Sequence, residues 1–396
     1  MPTHIGIGYS QDPDTQRAAQ EAAYIAKQQT QQESIDLAIV FNTIHYNSNE
    51  ALRTIQNILD DPQTIGCSTA GIILSSGIQM RGIAVLAISS DELKFGIGSV
   101  NDISSQDTRT AGNHLAKSAL TTLGQYKRLG FLFFADGLLK DLSLMIKGVQ
   151  EILGTILPIV GAGSSDDFQF RRTYQYYQDK AMYNGAGGLL IGGQLNLGIA
   201  NRHGWKPLGR PRVVNKVDGH IIKMIDGKKA CNIYEEYFGE EVQNNRRSKQ
   251  RSRMAIMYPL GIYIEGETEY LLRNAIDILN DGSIVCQGEV PEGANAHIMI
   301  GNKDSCMQAA VEAATEAKES LQGKKPQIVL IFECFTRHKL LGRDAFQEIQ
   351  MVKEILGKDI PMLGMYSYGE ISPFHPSDHV KKTHLQNESI VILAIG

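Results

Sequence analysis

Ile5-Gly6-Ile7-Gly8, Phe95-Gly96-Ile97-Gly98 and Ile298-Met299-Ile300-Gly301 are three short openings of one kind, and the stretch behind each decides the fold. After each comes an alanine-rich segment of helical character, at residues 12–32, 106–123 and 304–321. Asp12-Pro13 and Asp304 are suitable helix starts, an acid to cap the free amides and, in the first case, proline at the first helical position. A short continuous apolar run succeeds it at 36–41, 129–135 and 328–333, rich in β-formers, as strands covered on both faces should be. Leu52, Ile55 and Leu59, then Met145, Val149 and Leu153, then Ile349, Val352 and Leu356 mark a second helix in each segment, their spacing of three and four placing them on one face. A third strand then ends in a glycine-rich elbow: Gly66-Cys67-Ser68-Thr69-Ala70-Gly71, Gly161-Ala162-Gly163-Ser164-Ser165-Asp166 and Gly364-Met365-Tyr366-Ser367-Tyr368-Gly369. A last strand closes each segment, at 83–88, 188–199 and 390–395.

The order is βαβαββ three times, which predicts an α/β protein with mainly parallel sheets covered by helices. The third unit starts near residue 296, so residues 201–295 form an insert that reads as more β-rich. Asp218-Gly219 and Asp226-Gly227 mark hairpin turns there, 231–237 and 269–279 read as short helices, and 283–290 as a strand. The expected division is 1–200, holding two units, and 201–396, holding the insert and the third unit.

A chain of 396 residues at about 150 per domain suggests two or three packing units. With 42% hydrophobic residues, 21% charged residues and no apolar run of about 18, it is neither disordered nor fibrous nor membrane-embedded. A net charge of −4 argues against a dedicated nucleic-acid binder. The five cysteines are scattered, without a C-x-x-C pair, as reduced thiols would be. No basic region precedes an apolar core at the N-terminus, so the expected location is cytoplasmic, without membrane insertion.

In parallel sheets ligands gather beyond the carboxyl ends of strands. The elbows place a hydroxyl at Thr69, Ser164 and Ser367, with Ser68 beside the first, and an acid at Asp167 and Glu370. Neighbouring strand ends offer Asp136, Cys334 and Arg337. Such a rim suits a small zwitterion, Arg337 meeting a carboxylate and Asp167 or Glu370 an ammonium. The competing reading is that tight turns need these residues for structure alone.

Enzyme signatures are weak. The P-loop and the zinc-helix patterns are absent, and no histidines stand at metal spacing. Ser68 in a nucleophile-like elbow and Cys334 with His338 leave a hydrolase or transferase as an alternative. Arg246, Arg247, Lys249, Arg251 and Arg253 crowd one polar stretch, an exposed loop or a docking segment for an acidic partner.

The first elbow, the Gly161-to-Asp167 stretch, Gly204-Trp205-Lys206-Pro207-Leu208-Gly209, Phe332-x-Cys334-x-x-Arg337 and Gly364-x-Tyr366-x-Tyr368-Gly369-Glu370-Ile371 together resemble the FIST sensory domain, in its N- and C-terminal halves. The resemblance covers nearly the whole chain. It implies a non-enzymatic sensor of prokaryotic signal transduction that binds small ligands such as amino acids and signals through a separate partner protein. Some proteins similar to this family bind haem, sense nitric oxide and control a histidine kinase; His203 is the candidate haem ligand here. The sequence departs from the family where the first elbow often continues with Glu and this chain has Ile72.

Overall fold

A computed structural model describes residues 3–239, 257–374 and 382–396. The basic stretch from Arg246 to Arg253 lies outside the described residues.

The three alanine-rich helices form as their caps dictate. Asp14 accepts from Arg17 N ahead of Thr15–Thr30, Asp107 from Thr110 N ahead of Thr108–Leu123, and Asn302 from Ser305 N ahead of Lys303–Glu319. The caps therefore fall near, but not on, Asp12 and Asp304. The buried faces of the first and third of these helices are almost wholly alanine, which lets each helix lie against an unusually close strand. A Cβ on Gly8 would fall 1.8 Å from Ala22 O, and one on Gly198 would fall 1.9 Å from Ala317 O.

Three six-stranded sheets share one strand order. The first runs His4–Ser10, Ile83–Ser89, Leu37–Thr43, Gln63–Thr69; the second Leu93–Val100, Ala186–Gly193, Arg128–Ala135, Ile159–Gly163; the third Leu197–Arg202, Ile390–Ile395, Ile328–Cys334, Met362–Ser367. Two further strands complete each sheet, and they come from elsewhere in the chain. Tyr174–Tyr177 and Lys180–Tyr183 join the first sheet, Glu370–Pro373 and Thr383–Gln386 the second, and Ile72–Leu74 and Gly77–Gln79 the third. The chain leaving each elbow thus crosses into a neighbouring sheet.

This arrangement corrects the sequence reading in three respects. The sheets are mixed, because among the described residues only the pairs Leu37–Thr43 with Gln63–Thr69, Arg128–Ala135 with Ile159–Gly163, and Ile328–Cys334 with Met362–Ser367 are parallel. The closing strand inserts between the first and second strands of each sheet and runs antiparallel to both. The third sheet opens with Leu197–Arg202, which pairs with Ile390–Ile395, whereas Ile298-Met299-Ile300 belongs to the insert. Finally, residues 269–279 form the short strands Leu271–Arg273 and Ala275–Ile278 rather than a helix.

The inner faces of the three sheets meet in one core. Phe41, Phe134 and Phe332, one from each sheet, pack with ring centroids 5.3 and 5.8 Å apart in successive pairs. Each fully buried phenyl contributes about 2–3 kcal/mol relative to exposure. The helices cover the outer faces over separate apolar layers. The insert forms an eight-stranded antiparallel sheet around Val214, Ile222, Leu260 and Ile298. It docks through Trp205 and Met299 against Cys306, Leu341 and Ala345. Among the described residues no helix is long and apolar enough to cross a membrane.

Candidate functional site

The elbows tie the three sheets to one another. Ser68 Oγ donates to Ser165 O at 3.1 Å, and Ser165 N donates back to Ser68 O at 3.1 Å. Thr69 Oγ1 and Ser165 Oγ both donate to the Tyr366 carbonyl oxygen, at 2.9 and 2.5 Å. Gly163 N donates to Gly369 O and Tyr368 N to Gly163 O. Ser164 Oγ donates to Ala135 O at 3.0 Å, while Thr173 Oγ1 donates to Asp136 Oδ1 at 2.6 Å. A chain passing between sheets has few ladder partners, so these hydroxyls satisfy buried backbone groups instead. Ser68, Thr69 and Ser164 are therefore consumed in the junction and do not form an open rim. Burial raises the Asp136 carboxyl above its ordinary range, and its hydrogen bonds only partly offset this.

Asp167 is exposed and its φ is +55°, so it turns away from the junction. The inward acid is its neighbour Asp166, whose carboxylate accepts from Phe170 N, Arg171 N, Arg172 N and Tyr368 OH at 2.7–3.0 Å. These bonds hold Phe168 and Phe170 at positive φ.

Arg337 does not reach a ligand position. It is fully buried, donating to Glu333 Oε1 at 3.3 Å, His203 O at 2.6 Å, Cys306 O at 3.0 Å and the Glu348 carboxylate. Helix Phe335–Leu341 begins directly after strand Ile328–Cys334 and turns Arg337 beneath the sheet, away from the strand ends. Two carboxylates share this one guanidinium. Burial, then the nearby Glu348, pushes the Glu333 carboxyl well above its usual range, against the pull of Arg337.

His203 fits no haem either. Its Nδ1 accepts from Trp205 N at 2.9 Å, which places the proton on Nε2, 2.8 Å from Glu269 Oε2. An axial imidazole must offer a free ring nitrogen to a cavity, and His203 offers none.

What the fold does build is a cavity of about 380 Å³ where the elbows, the Asp166 loop and the insert meet. Phe168, Phe170, Phe335 and Tyr368 form its aromatic wall, with Phe168 and Phe335 centroids 4.7 Å apart and Phe170 and Tyr368 4.9 Å apart. Cys334, Ser367, Thr336, Asn274 and Gln287 supply its polar lining. Of the residues expected from sequence, Cys334 and Ser367 line this cavity, and Glu370 stands directly behind Ser367, 2.5 Å from its hydroxyl. Burial raises the Glu370 carboxyl to about 7. The Cys334 thiol is pushed well up by burial and then by Glu388 and Glu370, while His338 is stacked on Phe335 and tilted against Tyr366. Burial works against a nucleophile–base pair of Cys334 and His338, raising the thiol and holding His338 near 4.

Buried polar groups of two residues here close no hydrogen bond of ordinary geometry. Asn274 Oδ1 is buried without a hydrogen bond. Thr336 and Asn274 approach the Glu388 carboxylate, but neither of its buried oxygens closes a hydrogen bond of ordinary geometry. Burial, then the Glu370 charge, raises the Glu388 carboxyl well above its usual range. Asn274, Gln287 and Glu388 were not legible as site residues, although Gln386-Asn387-Glu388-Ser389 is an unusually polar run just ahead of a closing strand.

The fold and this cavity define a mixed α/β protein with an aromatic-walled pocket over buried acids. The chain belongs to the FIST family, matching the FIST N domain over residues 36–228 and the FIST C domain over 230–373. FIST domains are sensor domains of signal transduction. An uncharacterized protein of Methanocaldococcus jannaschii is 23% identical over 77% of this chain, which spans only 63% of that relative's length. An uncharacterized protein of Mycobacterium tuberculosis is 23% identical, covering 93% of this chain and 94% of its own. Among solved structures, cyanuric acid hydrolase from A. caulinodans aligns over 99% of both chains at 9% identity and a TM-score of 0.35. PurLQS from Thermotoga maritima aligns over all of this chain and 72% of its own at 8% identity and a TM-score of 0.24.

Proposed function

We propose that this protein is a small-ligand sensor whose cavity takes an amine-bearing metabolite of amino-acid size and that signals by altering its affinity for a separate protein. The supporting observation is Asn274 Oδ1, buried on the lining without a hydrogen bond, with the Glu388 carboxyl group beside Asn274 and Thr336 behind it. A buried amide oxygen without a donor is costly until a ligand supplies one, and an ammonium placed there would also draw the Glu388 carboxyl toward its charged, accepting form. The aromatic wall adds a surface that attracts a desolvated cation. Arg337 being spent, a ligand carboxylate is met at the mouth by Lys339, whose Nζ lies 4.4 Å from the Phe335 ring centroid and 5.6 Å from that of Phe168. Signalling requires that the ligand prefer one conformation, and the Asp166 loop with its strained Phe168 and Phe170 is the element a ligand would bias.

A thermal-shift screen of amino acids, their decarboxylated amines and their deaminated acids tests this reading. Amines and amino acids should stabilise the protein, by about 2.7 kcal/mol at a hundred times the dissociation constant. Stabilisation by the deaminated acids equal to that by the parent amino acids would refute the amine assignment.

A further inference from the structure

A second cavity, of about 530 Å³, lies between strands Leu271–Arg273 and Thr383–Gln386 and helix Leu142–Leu153, and shares no lining residue with the first. Its buried charge is Arg273, 2% exposed. The guanidinium donates from Nε to Glu289 O at 2.7 Å and from Nη1 to Leu272 O at 2.8 Å and Leu385 O at 3.0 Å. Three carbonyl oxygens orient the group without neutralising it. Among the described residues no carboxylate pairs with Arg273, and its Nη2 makes no hydrogen bond. The nearest acid on the lining, Glu289, is taken by Lys147, and Glu292 accepts from Val217 N. Lys382, exposed on the same lining, has no ion pair among the described residues. Among the described residues of the lining, Arg273, Lys147 and Lys382 therefore face two acids, leaving one positive charge in excess. The field is felt at His384, held near 3 by burial and then by Arg273, Lys382 and Lys147.

A buried guanidinium without a counter-ion is a costly arrangement that a bound anion relieves. Ile146, Ile264, Leu271 and Val290 give the lining an apolar part, beside the polar Ser143, Gln150 and Thr383. We infer that this cavity binds a small organic oxyanion, its charged head on Arg273 Nη2 and Lys382 and its apolar remainder against Ile146, Ile264 and Val290. The inference is independent of the amine reading of the first cavity.

The test uses the full chain, with hexanoate, inorganic phosphate and the uncharged analogue hexanol as probes in calorimetry. Hexanoate should bind saturably and hexanol should not. Lys382→Glu, a change at an exposed side chain, should weaken hexanoate at least tenfold, and Arg273→Gln should abolish binding with the circular dichroism spectrum unchanged. Should Arg273→Gln fail to fold, the Lys382→Glu comparison decides alone. Glu388→Gln should leave hexanoate binding as it is, which separates this site from the first cavity. Absence of saturable binding, or hexanoate affinity unchanged by Lys382→Glu, would overturn the inference. Phosphate binding more tightly than hexanoate would overturn the apolar part of it.

Discussion

Ser367 Oγ lies 2.5 Å from Glu370 Oε1 and 3.2 Å from the Glu333 carbonyl oxygen. A hydroxyl carries one hydrogen, so both contacts are satisfied when Ser367 donates to the carbonyl and a protonated Glu370 donates to Ser367. The other Glu370 oxygen accepts from Ser389 N and Ser389 Oγ, at 3.2 and 2.8 Å. The geometry thus agrees with a carboxyl that burial has raised from 4.5 to about 7.

That proton links stability to pH. Above 4.5 the unfolded chain releases it while the folded chain keeps it to about 7, so the Glu370 contribution to stability is fully present below 4.5 and is lost as pH rises through 7. The loss attributable to Glu370 is roughly 3 kcal/mol. Glu370→Gln reproduces the neutral hydrogen-bonding pattern and should be more stable than the parent at pH 8 and nearly equal to it at pH 4.5. Urea unfolding at the two pH values measures this, and an equal difference at both would remove Glu370 as its source.

Asp166→Ala leaves three backbone amides of the loop without their acceptor and frees Tyr368 OH. A loss of about 2–3 kcal/mol is expected. Limited proteolysis should show faster cleavage near Phe168 and Phe170, whose positive φ angles the Asp166 carboxylate holds in place.

Cys334 should resist iodoacetamide in the native protein at pH 8 and react only on unfolding, because burial and two nearby acids keep it as the thiol. Mass mapping of the labelled site gives the answer. Native labelling at Cys334 would revive it as a nucleophile.

Expressed separately, residues 1–200 and 201–396 should each fail to fold, and co-expression should restore soluble protein. The hairpin from Ile72 pairs with Met362–Ser367, and Glu370–Pro373 pairs with Gly161 and Ala162, so each half completes a sheet of the other. A cut at 200 also splits strand Leu197–Arg202. Circular dichroism of each purified half would decide the matter.

Much of the α/β framework was legible because it is local. Alanine-faced helices and apolar strands announce themselves by period, and the Gly-x-Gly openings by the closeness of helix to strand. The third opening was misplaced because Ile298-Met299-Ile300-Gly301 resembles the others, while Leu197-Gly198-Ile199-Ala200 ran on from the preceding strand; only Gly198 under Ala317 betrays it. Strand exchange was invisible, since an elbow looks the same whether the chain turns back or crosses over. The site suffered most. Asn274 and Gln287 join Cys334, Ser367 and Glu388 only in the folded molecule, and Arg337 was given a ligand because nothing nearby in sequence revealed Glu348 and the His203 carbonyl as its partners.

In the proposed sensor, the Asn274 amide oxygen and the Glu388 carboxyl group behind the aromatic wall recognise an amine. Calorimetric titration of the strongest amine from the thermal-shift screen, at pH 8, into the parent and Glu388→Gln tests it most directly. The account predicts a dissociation constant at least tenfold weaker in Glu388→Gln, about 1.4 kcal/mol, with the fold unchanged. Equal affinity in the two proteins would contradict it.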